Sequence, residues 1–219
     1  MSDVTITVRG ESETRITPEE AVARLAVRTE GHDRTDVMAR ATDAVSSLRA
    51  DLTVRQDSGQ VREWSTGRLM VHAERPWNAE GAQLPLVHHA SLEVSATFAD
   101  LDAIADWLST IAEKDDIQIA GVDWLLTQAT ATATEAQVAA EAVRVALSRA
   151  TAYAAAIGRT EITPIEIADV GLLRGGEAPS VPAPRMMKAA FAMDASSSLT
   201  LEPADIVVSA AVEARFSAR

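Results

Sequence analysis

From Ile206 to Phe216 the chain alternates without a break. Ile206, Val208, Ala210, Val212, Ala214 and Phe216 fall on one side, and Val207, Ser209, Ala211, Glu213 and Arg215 on the other. A period of two sends successive side chains to opposite faces of a pleated strand. A run this long and regular predicts a strand in the middle of a sheet. The opposite terminus carries the same signal, in Val4-Thr5-Ile6-Thr7-Val8-Arg9-Gly10. After a break at Thr17-Pro18-Glu19-Glu20, Ala23, Leu25 and Val27 alternate with Arg24, Ala26 and Arg28 as far as Gly31, which predicts a second strand.

From Asp33 to about Arg55 the period changes. Val37, Ala41, Val45, Leu48 and Leu52 recur every three or four residues, the spacing of one helical stripe, with Asp33 or Thr35 as the cap and Ser58-Gly59 as the stop. Two strands should follow, Arg62 to Arg75 and Leu86 to Phe98, joined by a loop holding Pro76, Gly81 and Pro85. If Leu69 faces Leu92, then Arg68 faces Glu93, Thr66 faces Ser95, His72 faces His89, and Val71 meets Ala90 in the core. Asp100 caps a short helix with Leu101, Ile104, Ala105, Leu108 and Ile111 on one side. Ile117 to Leu126 reads as a strand interrupted by a bulge at Gly121.

The capping-box spacing of Thr134 and Gln137 predicts the start of a long helix striped by Ala139, Val143, Leu147, Ala150, Ala154 and Ile157, ending at Gly158. Its small side chains suit close packing on a sheet or another helix. A strand at Ile165 to Leu172 and a loop rich in Gly, Pro and Met precede the last strand. This order lacks the strict alternation of a doubly wound fold. It predicts an α+β class: an antiparallel-rich sheet packed by three helices, with the terminal strand and the hairpin before Phe98 in one shared sheet.

With 219 residues, the chain is long enough to bury about 70% of its unfolded surface. Cys is absent, which removes disulfides and thiolate chemistry. Lys and Arg number 20 against 32 Asp and Glu, a net charge of −12, so nucleic acid is not an expected partner. The N-terminus lacks a basic and an apolar leader region, and no long apolar run suggests a membrane span. A cytoplasmic location is the expectation.

Several segments resemble the SIMPL-domain proteins: Ile6-Thr7-Val8-Arg9-Gly10-Glu11, Pro18 ahead of a strand, the alanine helix ending Tyr153-Ala154-Ala155-Ala156-Ile157-Gly158, and Pro203-Ala204-Asp205-Ile206-Val207-Val208-Ser209-Ala210-Ala211-Val212. The resemblance covers nearly the whole chain and implies a single α+β domain over 1–219 with a Gly/Pro/Met-rich loop at about 173–198. It further implies a bacterial family of largely unknown function. Some members are linked to oxidative-stress defence, some form ring- or channel-like homo-oligomers, and many look exported. It supplies no catalytic motif.

Nor do the residues supply one. Gly-x-Gly-x-x-Gly, a phosphate loop, His-Glu-x-x-His and Gly-x-Ser-x-Gly are all missing. The pairs Glu19-Glu20 and Asp115-Asp116 sit at element boundaries, where solvated charge is expected. Of the four histidines, His32, His72, His88 and His89, the register puts His72 and His89 on one face. There, with Glu74, they could approach a divalent cation, although the ligand set is incomplete and no cofactor is expected. Three of the six Met lie in Arg185-Met186-Met187-Lys188-Ala189-Ala190-Phe191-Ala192-Met193. Met186, Met187, Phe191 and Met193 are the candidate subunit or partner contact. The leading expectation is thus a non-enzymatic homo-oligomer. A small-molecule binding domain with a cleft between the sheet and the alanine helix comes second, and a metal-dependent enzyme centred on His72 and His89 third.

Overall fold

The computed structural model describes residues 3–173 and 202–219. Among these residues, three helices and eight strands follow one another as β1 (Val4–Ile16), β2 (Glu20–Gly31), α1 (Arg34–Asp57), β3 (Val61–Thr66), β4 (Met70–Glu74), β5 (Val87–Phe98), α2 (Leu101–Ala112), β6 (Ile117–Leu125), α3 (Gln128–Ala156), β7 (Ile162–Asp169) and β8 (Ile206–Ala218). Every strand pairing is antiparallel, so the α+β class holds. The shared sheet does not. The strands form a three-stranded sheet, β1-β8-β7, and a five-stranded sheet, β3-β5-β2-β6 with β4 also on β5. Each sheet belongs to its own compact unit. Among the described residues, 3–17, 126–173 and 205–219 form one, and 18–125 with 202–204 form the other.

In the first unit β8 is central, as its alternation predicts, and pairs with β1 from Ile16↔Ile206 to Val4↔Ala218 without a register break. Even-numbered residues of both strands turn inward. Ile6, Val8, Val212, Ala214 and Phe216 pack against Ala142, Ala146, Ala150 and Ala154 of α3. The helix starts at Gln128 under a Thr127 cap, earlier than the Thr134 signal suggests, and Thr134 lies within it. Its buried stripe is Ala131, Thr134, Val138, Ala142, Ala146, Ala150 and Ala154, whereas Leu147 and Ile157 are exposed. Gly10 explains the choice of small side chains. A Cβ built there would lie 1.9 Å from the Ala142 carbonyl oxygen and 2.9 Å from the Ala146 Cβ. Backbone touches backbone at that crossing, which leaves no room there for a ligand between sheet and helix.

In the second unit α1 and α2 bury their apolar stripes against Ala21, Ala23, Leu25 and Val27 of β2 and Val94, Ala96 and Phe98 of β5. Trp107 and Phe98 meet with ring centroids 4.9 Å apart. Large buried side chains of this kind contribute about 1.5–3 kcal/mol each. The Trp107 indole N–H donates to Asp51, which also accepts from Arg55. Asp33 and Asp100 cap α1 and α2 by accepting backbone N–H groups of their first turns. The Gly121 bulge is present as a register shift between β2 and β6.

The strand expected over Arg62 to Arg75 divides into β3 and β4. Gly67 donates its N–H to the Glu93 carbonyl where the two strands part. The register slips by one across the break: Thr66 faces Val94 instead of Ser95, while Val71 faces Ala90 and His72 faces His89 as expected. Ala90 is buried with Val37 and Ala41, but Val71 is exposed. The helices cover this part of the sheet on the Ala90 side of β5, and β4 itself is exposed along its whole length.

Candidate functional site

Strand periodicity builds one polar cluster on the second unit. Because Ala90 and Thr29 turn toward α1, with Thr29 Oγ1 donating to the Val37 carbonyl, their neighbours His89 and Glu30 turn to the opposite face of the sheet. Direct pairing sets His72 of β4, His89 of β5 and Glu30 of β2 in one row, and Glu74 follows His72 on the same face. The two imidazoles stack with centroids 5.0 Å apart and planes inclined by 14°. His89 Nδ1 lies 3.6 Å from Glu30 Oε2, and His89 Nε2 lies 3.5 Å from Glu74 Oε1. One ligand atom from each of His72, Glu74 and His89 falls within 4.8 Å of the others. The Nε2 atom of His89 is buried and makes no hydrogen bond among the described residues.

The remaining histidines stand apart in role. His32 Nδ1 is 3.0 Å from the Leu86 carbonyl oxygen, a contact that ties the loop before β5 to the end of β2. His88 pairs across the sheet with Ala73 and Gly31. Glu30 is the member of the cluster that the sequence did not reveal. Its alternation placed it on a polar face, but only the β2 to β5 register aligns it with His89.

The two acidic pairs have separate environments. Asp116 pairs with Arg40, which also donates to the Glu30 carbonyl, while Lys114 donates to Ser47. These groups line a shallow opening of about 320 Å³ with Asp43 and Asp115. The Asp116 carboxylate holds the Arg40 guanidinium more firmly protonated. Glu20, expected to be solvated, is instead buried, and its carboxylate pairs with Arg62. The ion pair links the start of β2 to β3.

Exposed large apolar side chains are found on two strand edges as well as on α1, α3 and beyond β7. Leu69 just before β4, Met70 and Val71 within it, Trp77 and Leu84 in the loop after it, and Ile165 and Ile167 of β7 are among them. The loop is ordered by Asn78, whose side chain accepts the N–H groups of Glu80 and Ala82, and by a bridge between Trp77 and Gln83. Met186, Met187, Phe191 and Met193 lie outside the described residues. No helix among the described residues is long and apolar enough to cross a membrane.

The family model described as SIMPL, protein of unknown function (DUF541), matches residues 6–216. No curated protein matches the chain.

Proposed function

Since the chain belongs to the SIMPL family (DUF541), whose description assigns no activity, we propose from its surface that it is a non-enzymatic protein that works by assembling with copies of itself. The observation that carries this reading is β4, an edge strand among the described residues, exposed in all five of its residues and continued by Trp77, which is 66% exposed. An unpaired strand edge is a template for a further strand, and soluble chains blunt such edges with charge, Pro or bulges. Three other edges carry those devices. Along β1, Arg9, Glu11, Glu13 and Arg15 face outward, β7 has Pro164 and a bulge beside it, and β6 has the Gly121 bulge. β4 is itself short, carries Glu74 and is followed by Arg75 and Pro76, but it also offers Met70 and Val71, and Leu69, Trp77 and Leu84 extend the apolar surface around it.

Light scattering of the full chain over a range of concentrations tests the proposal. The expected mass is a multiple of 23.3 kDa that falls toward one subunit in the variants Met70→Lys and Trp77→Ser. A native chain of one subunit at every concentration overturns it. Ile167→Lys serves as the control on the other apolar edge, and its mass should stay unchanged. The sequence offers one further contact, Met186, Met187, Phe191 and Met193. Deleting 185–193 lowers the mass only if that segment contributes.

A further inference from the structure

We propose that His72, Glu74 and His89 form a binding site for a divalent transition-metal cation, with Glu30 orienting His89 toward it. The inference stands on the cluster alone and does not depend on self-assembly. Two observations carry it, and the first is the ligand geometry. Imidazole nitrogens and carboxylate oxygens bind zinc at about 2.0–2.2 Å, which puts tetrahedral ligands about 3.4 Å from one another. The three ligand atoms already lie within 4.8 Å of one another. The remaining contraction is a matter of side-chain rotation, and His72 and Glu74 lie exposed on β4. The backbone needs no change, because direct pairing of His72 with His89 fixes the two imidazoles on adjacent strands.

The second observation is the state of His89. Its Nε2 is shut away from solvent and makes no hydrogen bond among the described residues, with Glu74 Oε1 standing 3.5 Å off, an under-satisfied condition for a polar atom. Its Nδ1 faces Glu30 Oε2 at 3.6 Å. A small swing of the exposed Glu30 closes that hydrogen bond, keeps the proton on Nδ1 and leaves the Nε2 lone pair directed at the space shared with Glu74. A carboxylate holding the far nitrogen of a metal-bound imidazole is the common supporting arrangement, and it raises the basicity of the ligand. Two imidazoles and one carboxylate favour zinc, nickel, copper or cobalt over magnesium and calcium, which take oxygen ligands. Three protein ligands leave a coordination position for water. The bound cation would bridge β4 to β5 and hold the short edge strand in place.

The test is a zinc titration of the full chain by calorimetry, followed by competition against a chromogenic chelator. One equivalent should bind. His72→Ala, His89→Ala and Glu74→Gln should each weaken binding at least tenfold, Glu30→Gln should weaken it by about tenfold, and His32→Ala combined with His88→Ala should leave it unchanged. Zinc should also slow amide exchange in β4 of the native chain and not of His89→Ala. Glu74→Gln keeps the shape of an exposed side chain, so it remains informative if a histidine variant misfolds. The proposal is overturned if the native chain shows no stoichiometric binding. It is equally overturned if the His72, Glu74 and His89 variants bind as the native chain does, or if the His32 and His88 variant abolishes binding.

Discussion

Gly10 shows how one missing methyl group decides a packing arrangement. The atom its Cβ would strike is the backbone carbonyl of Ala142, so no rotamer change can relieve the clash. Gly10→Ala should therefore push β1 and α3 apart and cost about 1–3 kcal/mol or more, the range for overpacking a core. Gly59 supplies the contrast. Its Cβ position is open, but its φ of +81° lies in the left-handed region, so Gly59→Ala should cost only about 1–2 kcal/mol through backbone strain. Urea unfolding of both variants checks the ranking. A Gly10→Ala chain as stable as the native one would mean that α3 does not sit against β1 in this way.

Capping makes α1 sensitive to acid. Asp33 accepts the backbone N–H groups of Asp36 and Thr35, and these bonds hold its carboxyl below the usual carboxylate range. A group whose pKa is lower folded than unfolded adds stability above the unfolded value and loses it as pH falls through the folded value. The contribution of Asp33 should thus be intact at neutral pH and disappear at the acid end of the carboxylate range. Asn caps a helix as well as Asp but does not titrate. Asp33→Asn should flatten the acid limb of a melting-temperature profile while leaving neutral pH nearly unchanged. An acid limb identical to that of the native chain would remove Asp33 from the account.

At the same scale, legibility followed the size of the side chains. α1, α2 and β8 were readable because Leu, Ile, Val and Phe mark their buried faces. On α3 the close approach at Gly10 selects Ala for the buried stripe, so the large residues Leu147 and Ile157 stand outside it and mislead a reading based on hydrophobicity. The Thr134 and Gln137 spacing imitates a cap inside the helix. β3 and β4 could not be separated in advance, since a one-residue slip at Gly67 leaves the composition of both strands unchanged. The His72 and His89 pairing was legible from strand alternation, whereas Glu30 needed the pairing of β2 with β5.

The whole chain is one family unit built from two compact units, with 18–125 inserted between the parts that form the first. Its ends meet as β1 and β8, which explains why two sheets were read as one. Local period reports that a segment is a strand but not which strand lies beside it. The chain as a whole also carries 32 acidic against 20 basic residues. Copies with a net charge of −12 repel one another in solution. Salt screens that repulsion, with a Debye length of about 10 Å at 0.1 M and about 3 Å at 1 M, while an apolar contact through Met70, Val71 and Trp77 is not weakened by it. The average mass at fixed protein concentration should therefore rise with sodium chloride, and Trp77→Ser should suppress the rise. A mass that falls as salt is added would show that ion pairs hold the copies together, and would move the contact from β4 to a charged edge such as β1.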